Sequence, residues 1–330
     1  MSKQYKVSSL ISFQHKFATE QACIEYLALL RWPDGYRCSK CGCQESYQLR
    51  VRPRVFMCSA CNHQESVTAG TILHRTKLPL IVWFWAAYLL IQDKRGISAM
   101  QLSRELNLRY ATAWTMLHKL RRALFEKQDR LLSGVVEADE TYYGGKGGSD
   151  SGGRSLRNDN KCLIVMALER KPARGKKAKG INNSCFVAGN AKVAVADSAS
   201  AKDLGSFLKA SLAPGTNMLT DGWAGYIEPG KDFLHEAIVL TNPKDAGVRL
   251  PLIHVQFANL KSWIAGTFHG VSPKHLPSYL QEWNYRFNRR GIISNLFGHL
   301  IKRVVDSAAV TYKEIVQGVN PIKLADAPCG

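Results

Sequence analysis

The sequence predicts an α/β protein whose mixed sheet is preceded by a small cysteine-rich segment and a helical region. Three observations carry this expectation. Two Cys-x-x-Cys pairs stand close together near the start of the chain. Helical patterns follow across 77–127, and after Gly134 strand-like runs alternate with helical ones. The expected organisation is a helical segment over 1–35, the cysteine segment over 36–70, a helical region over 71–132, the α/β domain over 133–318 and a tail over 319–330.

Composition narrows the function. The 330 residues can bury a sizeable core, and 45% hydrophobic against 22% charged residues excludes wholesale disorder. The charge is uneven, with 45 Lys plus Arg against 26 Asp plus Glu, a formal +19. A compact chain under that self-repulsion calls for a polyanion, and nucleic acid is the usual one. No membrane is expected as a partner. The most apolar run, Leu78 to Ile91, is shorter than the ~20 residues that cross a bilayer and reads as a buried helix. The opening Met-Ser-Lys-Gln-Tyr shows no signal-peptide pattern, so a reducing cytoplasm is the expected compartment. There, paired cysteines hold metal more often than each other.

In chain order, Thr19 is a candidate N-cap for a helix that stops at Trp32-Pro33-Asp34-Gly35. Cys38-Ser-Lys-Cys41 and Cys58-Ser-Ala-Cys61 are then separated by sixteen residues. Each pair can give two thiolates to one tetrahedral ion, and four thiolates fill the shell, so Cys38, Cys41, Cys58 and Cys61 predict a structural Zn²⁺ ribbon. Cys43 and His63 lie near, but the symmetric spacing favours the quartet. Gly42 and Asn62 follow the second cysteine of each pair, where the tight turn needs positive φ. Arg37, Lys40, Arg50, Arg52 and Arg54, with Tyr47 and Phe56 between them, suit a DNA- or protein-binding surface.

The stretch from Gly96 to Leu120 reads as a helix-turn-helix. Ser98 caps a first helix with Met100, Leu102 and Leu106 inward, and Asn107-Leu108 turns the chain. A second helix carries Ala113, Leu117 and Leu120 at core spacing, which leaves Arg109, Tyr110 and Thr112 at its start for DNA. An ordinary helical hairpin needs the same apolar pattern. Beyond it, strands are expected at Val135–Ala138, Cys162–Leu168, Cys185–Ala196 and Asn217–Thr220, with helices at Ala201–Leu212 and Ser272–Phe287. Residues 144–160 are Gly/Ser-rich and 171–179 are basic. Across 146–179 ten basic residues face three acidic ones, so Lys176 and Lys177 are candidate phosphate contacts or solubilising charges. Asp139 and Asp221 close two expected strands. Carboxylates at strand ends of one sheet can converge on hard cations, and can equally be turn or N-cap residues.

The order of the two cysteine pairs, then VEADETYYGG, LTDGWAGY and HVQFANLKSWIAGTFHGVSPKHLPSYLQEWNYRFNRR, resembles a family of bacterial insertion-sequence transposases. The resemblance runs from residue 36 to 290. It implies a zinc ribbon ahead of an RNase H-like domain of the Asp-Asp-Glu type, with Asp139 and Asp221 as the catalytic aspartates. The third position departs from the usual Glu. Asn259, followed two residues later by Lys261, is the expected match, with Glu137, Glu140 and Glu282 as alternatives. The implied chemistry is phosphoryl transfer at two Mg²⁺ or Mn²⁺ ions held by Asp139, Asp221 and Asn259. The implied partners are double-stranded DNA, both element ends and target, and further copies of the chain on that DNA at the nucleoid. Arg286, Arg289 and Arg290 fall in a stretch, 285–303, with five basic and no acidic residues, and could track a DNA backbone. His254, His269 and His275 are read as phosphate contacts or structural residues. The competing reading is a DNA-binding regulator without catalysis.

Overall fold

Ser9 and Thr19 open helices α1 (Leu10–Lys16) and α2 (Glu20–Arg31) by accepting the Ser12 and Ala22 N–H groups. These and all later elements come from a computed structural model that describes residues 9–125, 130–144, 161–173, 186–238, 250–292 and 295–318. Strands β1 (Ser46–Gln48), β2 (Val55–Cys58) and β3 (Gln64–Ser66) form a small antiparallel sheet in sequence order. Helix α3 (Leu80–Gln92) follows, with Trp83, Phe84, Tyr88 and Leu90 buried. It is the helix expected from the apolar run. Among the described residues no helix is long and apolar enough to cross a membrane.

Helices α4 (Ala99–Glu105) and α5 (Tyr110–Ala123) form the expected pair. Ser98 accepts the Gln101 N–H, and Asn107 makes the turn at φ +49°. Leu102, Ala113, Met116, Leu117 and Leu120 are buried. Met100, expected to face inward, is 49% exposed, because it lies two residues from Leu102 and so on the other side of α4.

The chain divides into two compact units. Residues 289–318 belong with 1–124, and 125–288 form the other. The α/β domain therefore ends near Asn288 rather than at 318. In the first unit, α10 (Leu296–Asp306) puts the Phe297 ring within 5.2–5.6 Å of Phe13, Phe17 and Phe84. The short helix α11 (Tyr312–Gln317) follows, opened by a Thr311–Glu314 capping box. A return of the chain to an aromatic cluster far upstream leaves no mark in local pattern.

The second unit is built on a five-stranded sheet. Its strands are β4 (Val135–Gly144), β5 (Lys161–Pro172), β6 (Phe186–Ala196), β7 (Asn217–Thr220) and β8 (Leu234–Ala237). The order is β6-β5-β4-β7-β8. β4–β5 and β5–β6 are antiparallel, whereas β4–β7 and β7–β8 are parallel. This is the RNase H-like mixed sheet that the resemblance implies. Strand β5 is buried on both faces, which explains its unbroken apolar run from Cys162 to Leu168. On one face Val136, Ala138, Leu163 and Val165 pack with Leu204 and Leu208 of α6 (Ala201–Ser211) and with Tyr226, which precedes the short α7 (Ile227–Gly230). On the other, Ile164, Met166 and Leu168 pack with Phe257 and Leu260 of α8 (Pro251–Phe268) and with Leu280 and Trp283 of α9 (Leu276–Asn288).

Neither β8 nor α8 is among the elements expected from the sequence. Helix α8 begins at Pro251 with no local side-chain cap, so its start carries no signal of the usual kind. Phe297→Ala should empty the centre of the aromatic cluster and lower stability by about 3–5 kcal/mol, read from the midpoint of chemical denaturation.

Candidate active site and zinc knuckles

The two cysteine knuckles adopt matching turns. Gly42 N–H donates to Cys38 O at 3.0 Å and Asn62 N–H to Cys58 O at 3.1 Å. Gly42 and Asn62 take φ of +75° and +57°, as their place after the second cysteine requires. The turns bring Sγ of Cys38 to 3.6 Å from Cys61 and Sγ of Cys41 to 3.6 Å from Cys58. All four sulfurs lie within 4.8 Å of one another. A disulfide needs about 2.0 Å. Four thiolates around zinc at about 2.3 Å stand about 3.8 Å apart, which the observed spacing approaches. Burial opposes ionisation of Cys38, but the Cys41 and Lys40 N–H groups and the neighbouring thiols outweigh it and bring its pKa down to about 6. Cys43 and His63 lie outside the quartet.

Not all the basic residues of the ribbon face outward. Arg54 grips Glu20 Oε1 at 2.7 Å and the carbonyls of Thr76 and Leu78, while Phe56 packs on Trp32. Arg37, Lys40, Arg50 and Arg52 remain at least partly exposed. At the start of α5, Arg109 and Tyr110 are exposed and Thr112 is half-buried. Lys176 and Lys177 lie outside the described residues.

The sheet sets the carboxylates. Parallel pairing aligns Glu137 with Leu219. Asp139 follows two residues along β4, and Asp221 comes directly after the last residue of β7, so both stand toward the same end of the pair. Gly222, at φ +80°, turns the chain there, and Asp221 Oδ1 accepts the Trp223 N–H at 3.0 Å. Asp139 is 5% exposed, and its Oδ1 accepts the Glu140 N–H. On the other side of the strand, wholly buried Tyr226 donates its hydroxyl to Glu140 Oε2 at 2.8 Å. Burial first, and then the charges of Glu140, Asp139 and Asp221, push its pKa well above the ordinary value. Tyr226 is thus a fixed neutral donor behind the acids.

Alternate residues of β4 share one face, and four in succession meet α8 or the turn after it. Glu137 Oε2 accepts the Ile253 N–H at 2.8 Å. Asp139 Oδ2 lies 3.6 Å from His254 Nε2. Thr141 Oγ1 accepts from Lys261 Nζ at 2.7 Å, and Tyr143 Oη accepts the Val271 N–H at 3.0 Å. His254 Nε2 is buried and has no hydrogen-bond partner among the described residues. Burial lowers the His254 pKa, with Asp221 pulling the other way, so the neutral imidazole is favoured. Burial likewise lowers that of Lys261.

The structure does not bring Asn259 to this group. Its side chain is exposed, and its amide reaches Gln256 Oε1 at 3.4 Å. Five residues beyond His254, it points about 140° around the helix, whereas Lys261, seven residues beyond, returns to within about 20°. Residues two apart on a helix do not share a face, and it is Lys261 that reaches β4, through Thr141. The residue of α8 that faces Asp139 is His254, which the sequence leaves as a phosphate contact or structural histidine. The i, i+7 spacing of His254 and Lys261 is the signal that could have found it.

Glu137, Glu140 and Glu282, the alternatives for the third position, have partners of their own. Glu137 is fully buried against Arg170 Nε at 2.6 Å, Glu140 holds Tyr226, and buried Glu282 binds Arg286 at 3.1 Å. Arg286 is itself only 12% exposed and lies over the Trp263 ring. Arg289 is half-buried and Arg290 exposed. His269 ends α8 in the left-handed conformation at φ +56°. Changing Cys58 to Ser should release about one equivalent of zinc per chain and unfold the ribbon, as read by elemental analysis and proteolysis.

Residues 18–64 match the transposase zinc-ribbon domain, and residues 131–288 match the ISXO2-like transposase domain. No curated protein matches the chain at a significant level. Four clustered thiols in the first domain and a five-stranded mixed sheet in the second agree with those matches. Bearing both domains in this order, the chain belongs to the insertion-sequence transposases with an N-terminal zinc ribbon.

Proposed function

We propose that the chain cuts and joins DNA at the ends of its own element by metal-dependent phosphoryl transfer, with Asp139, Asp221 and His254 as ligands. The observation that carries this reading is the buried, unpartnered Nε2 of His254, 3.6 Å from Asp139 Oδ2 and on the helix face that also carries Lys261. A neutral imidazole nitrogen beside two carboxylates is a donor set for a divalent ion.

Divalent ions bound there would activate a water or 3′-hydroxyl and stabilise the leaving oxygen. The chain's own residues supply the rest. Asp139 and Asp221 give two negative charges where a third carboxylate is usual, so substrate phosphate completes the charge. Lys261, held by Thr141, presents a cation to that phosphate. Tyr226 fixes the strand end from behind through Glu140. Element-end and target DNA would be gripped by Arg109 and Tyr110 at the start of α5 and by Arg50 and Arg52 on the ribbon, all exposed. Pairing two element ends calls for at least two copies of the chain.

Cleavage and joining of labelled element ends test this reading. Asp139→Asn and Asp221→Asn should abolish both while DNA binding persists. His254→Ala should lower the rate on the order of a hundredfold or more, whereas Asn259→Ala should stay within about twofold of the parent. Equal loss in the Asn259 and His254 variants would refute the assignment, and DNA binding without any cutting by the parent would leave a regulator. A nitrogen ligand also shifts preference toward softer ions, so Mn²⁺ should support a higher rate than Mg²⁺ at equal concentration.

A further inference from the structure

Helix α8 has no local cap: Leu250, its N-cap, offers no side-chain acceptor, and Pro251 occupies the first helical position. The N–H groups of the next two residues are those an N-cap side chain would take. That of Ile253 is taken instead by Glu137, 116 residues upstream. Its Oε2 accepts from Ile253 at 2.8 Å, and the Leu252 N–H, next to it, also favours the carboxylate charge. Its Oε1 accepts from Arg170 Nε at 2.6 Å, and Arg170 is anchored on the neighbouring strand, where its backbone pairs with Val135.

The carboxylate is fully buried, with no solvent to relax into, so the position of the helix start follows the position of the strand. His254 is the very next residue of the helix, and Asp139 is the next residue on that face of the strand. We infer that Glu137 is a positioning residue for the metal site: as a cap supplied from β4 and steadied by Arg170, it sets the His254 imidazole against Asp139. The inference rests on His254 and Asp139 being ligands, but the hydrogen bonds that define the cap stand independently of that reading.

Two variants and two measurements test it on the full chain. Glu137→Gln keeps a carbonyl acceptor for the helix N–H groups and discards the charge facing Arg170, whereas Glu137→Leu discards both. Hydrogen exchange at the Leu252, Ile253 and His254 amides should quicken at least tenfold in Glu137→Leu and less in Glu137→Gln, with exchange beyond Lys261 unchanged. Mn²⁺ binding, followed by calorimetry and electron paramagnetic resonance on DNA-free protein, should weaken about 10–100-fold in Glu137→Leu and less in Glu137→Gln. DNA affinity should match the parent in both. If Glu137→Leu fails to fold, Glu137→Gln decides alone, with faster exchange and weaker Mn²⁺ binding than the parent expected. Parent-like exchange or parent-like Mn²⁺ affinity in the deciding variant would overturn the positioning role while leaving the metal site in place. Absence of Mn²⁺ binding by the parent, or binding unaffected by His254→Ala, would overturn both.

Discussion

The second unit depends on one strand face laid along one helix. Glu137, Asp139, Thr141 and Tyr143 are alternate residues of β4, and their partners run in the same direction from Ile253 at the start of α8 to Val271 just past its end. A strand advances about 3.3 Å per residue and a helix about 1.5 Å, so these polar contacts fix the register between two elements of different pitch. Apolar packing of Phe257 and Leu260 against β5 adds adhesion without direction. The polar contacts choose which helix face meets the aspartates, and the face they choose is that of His254 and Lys261.

The same device recurs in the first unit. Helix α3 begins after Pro79 with no side-chain cap of its own, and the Leu80 and Ile81 N–H groups go to the Glu20 carboxylate at 2.9 and 3.1 Å. Glu20 is in turn held by Arg54 from the ribbon, as Glu137 is by Arg170. In each case a glutamate and an arginine from different elements replace a cap that local sequence lacks. The exposures differ, and so do the energetics. Glu20 keeps 35% of its side chain in solvent, so its pair is worth little by itself. Glu137 keeps none, and removing Arg170 would strand a buried charge at a cost of about 3–5 kcal/mol.

Much of the molecule could be read without coordinates. The knuckles were legible because zinc ligation imposes close spacing and a positive φ, both of which select residue types that stand out: Cys, Gly42 and Asn62. The helix pair α4–α5 was legible through Ser98 and Asn107, and β5 through its apolar run. Helix α8 was not, because its cap is 116 residues away and leaves no trace beside Pro251. The role of Arg286 was also hidden. A cluster of arginines has the same composition whether it meets phosphate or, as here, a buried glutamate and a tryptophan ring.

The cysteine quartet, the strand-end aspartates and the excess of positive charge are properties of residue type and local spacing, legible with no fold in hand. Long-range folding supplies what pattern could not: that β4 and β7 pair in parallel, that 289–318 return to the N-terminal unit, and that His254 lies against Asp139 while Asn259 is exposed. The physical reason is that a helix turns about 100° per residue, so which of two neighbouring candidates reaches a site depends on how the helix is rotated. That rotation is set by contacts with a strand far earlier in the chain.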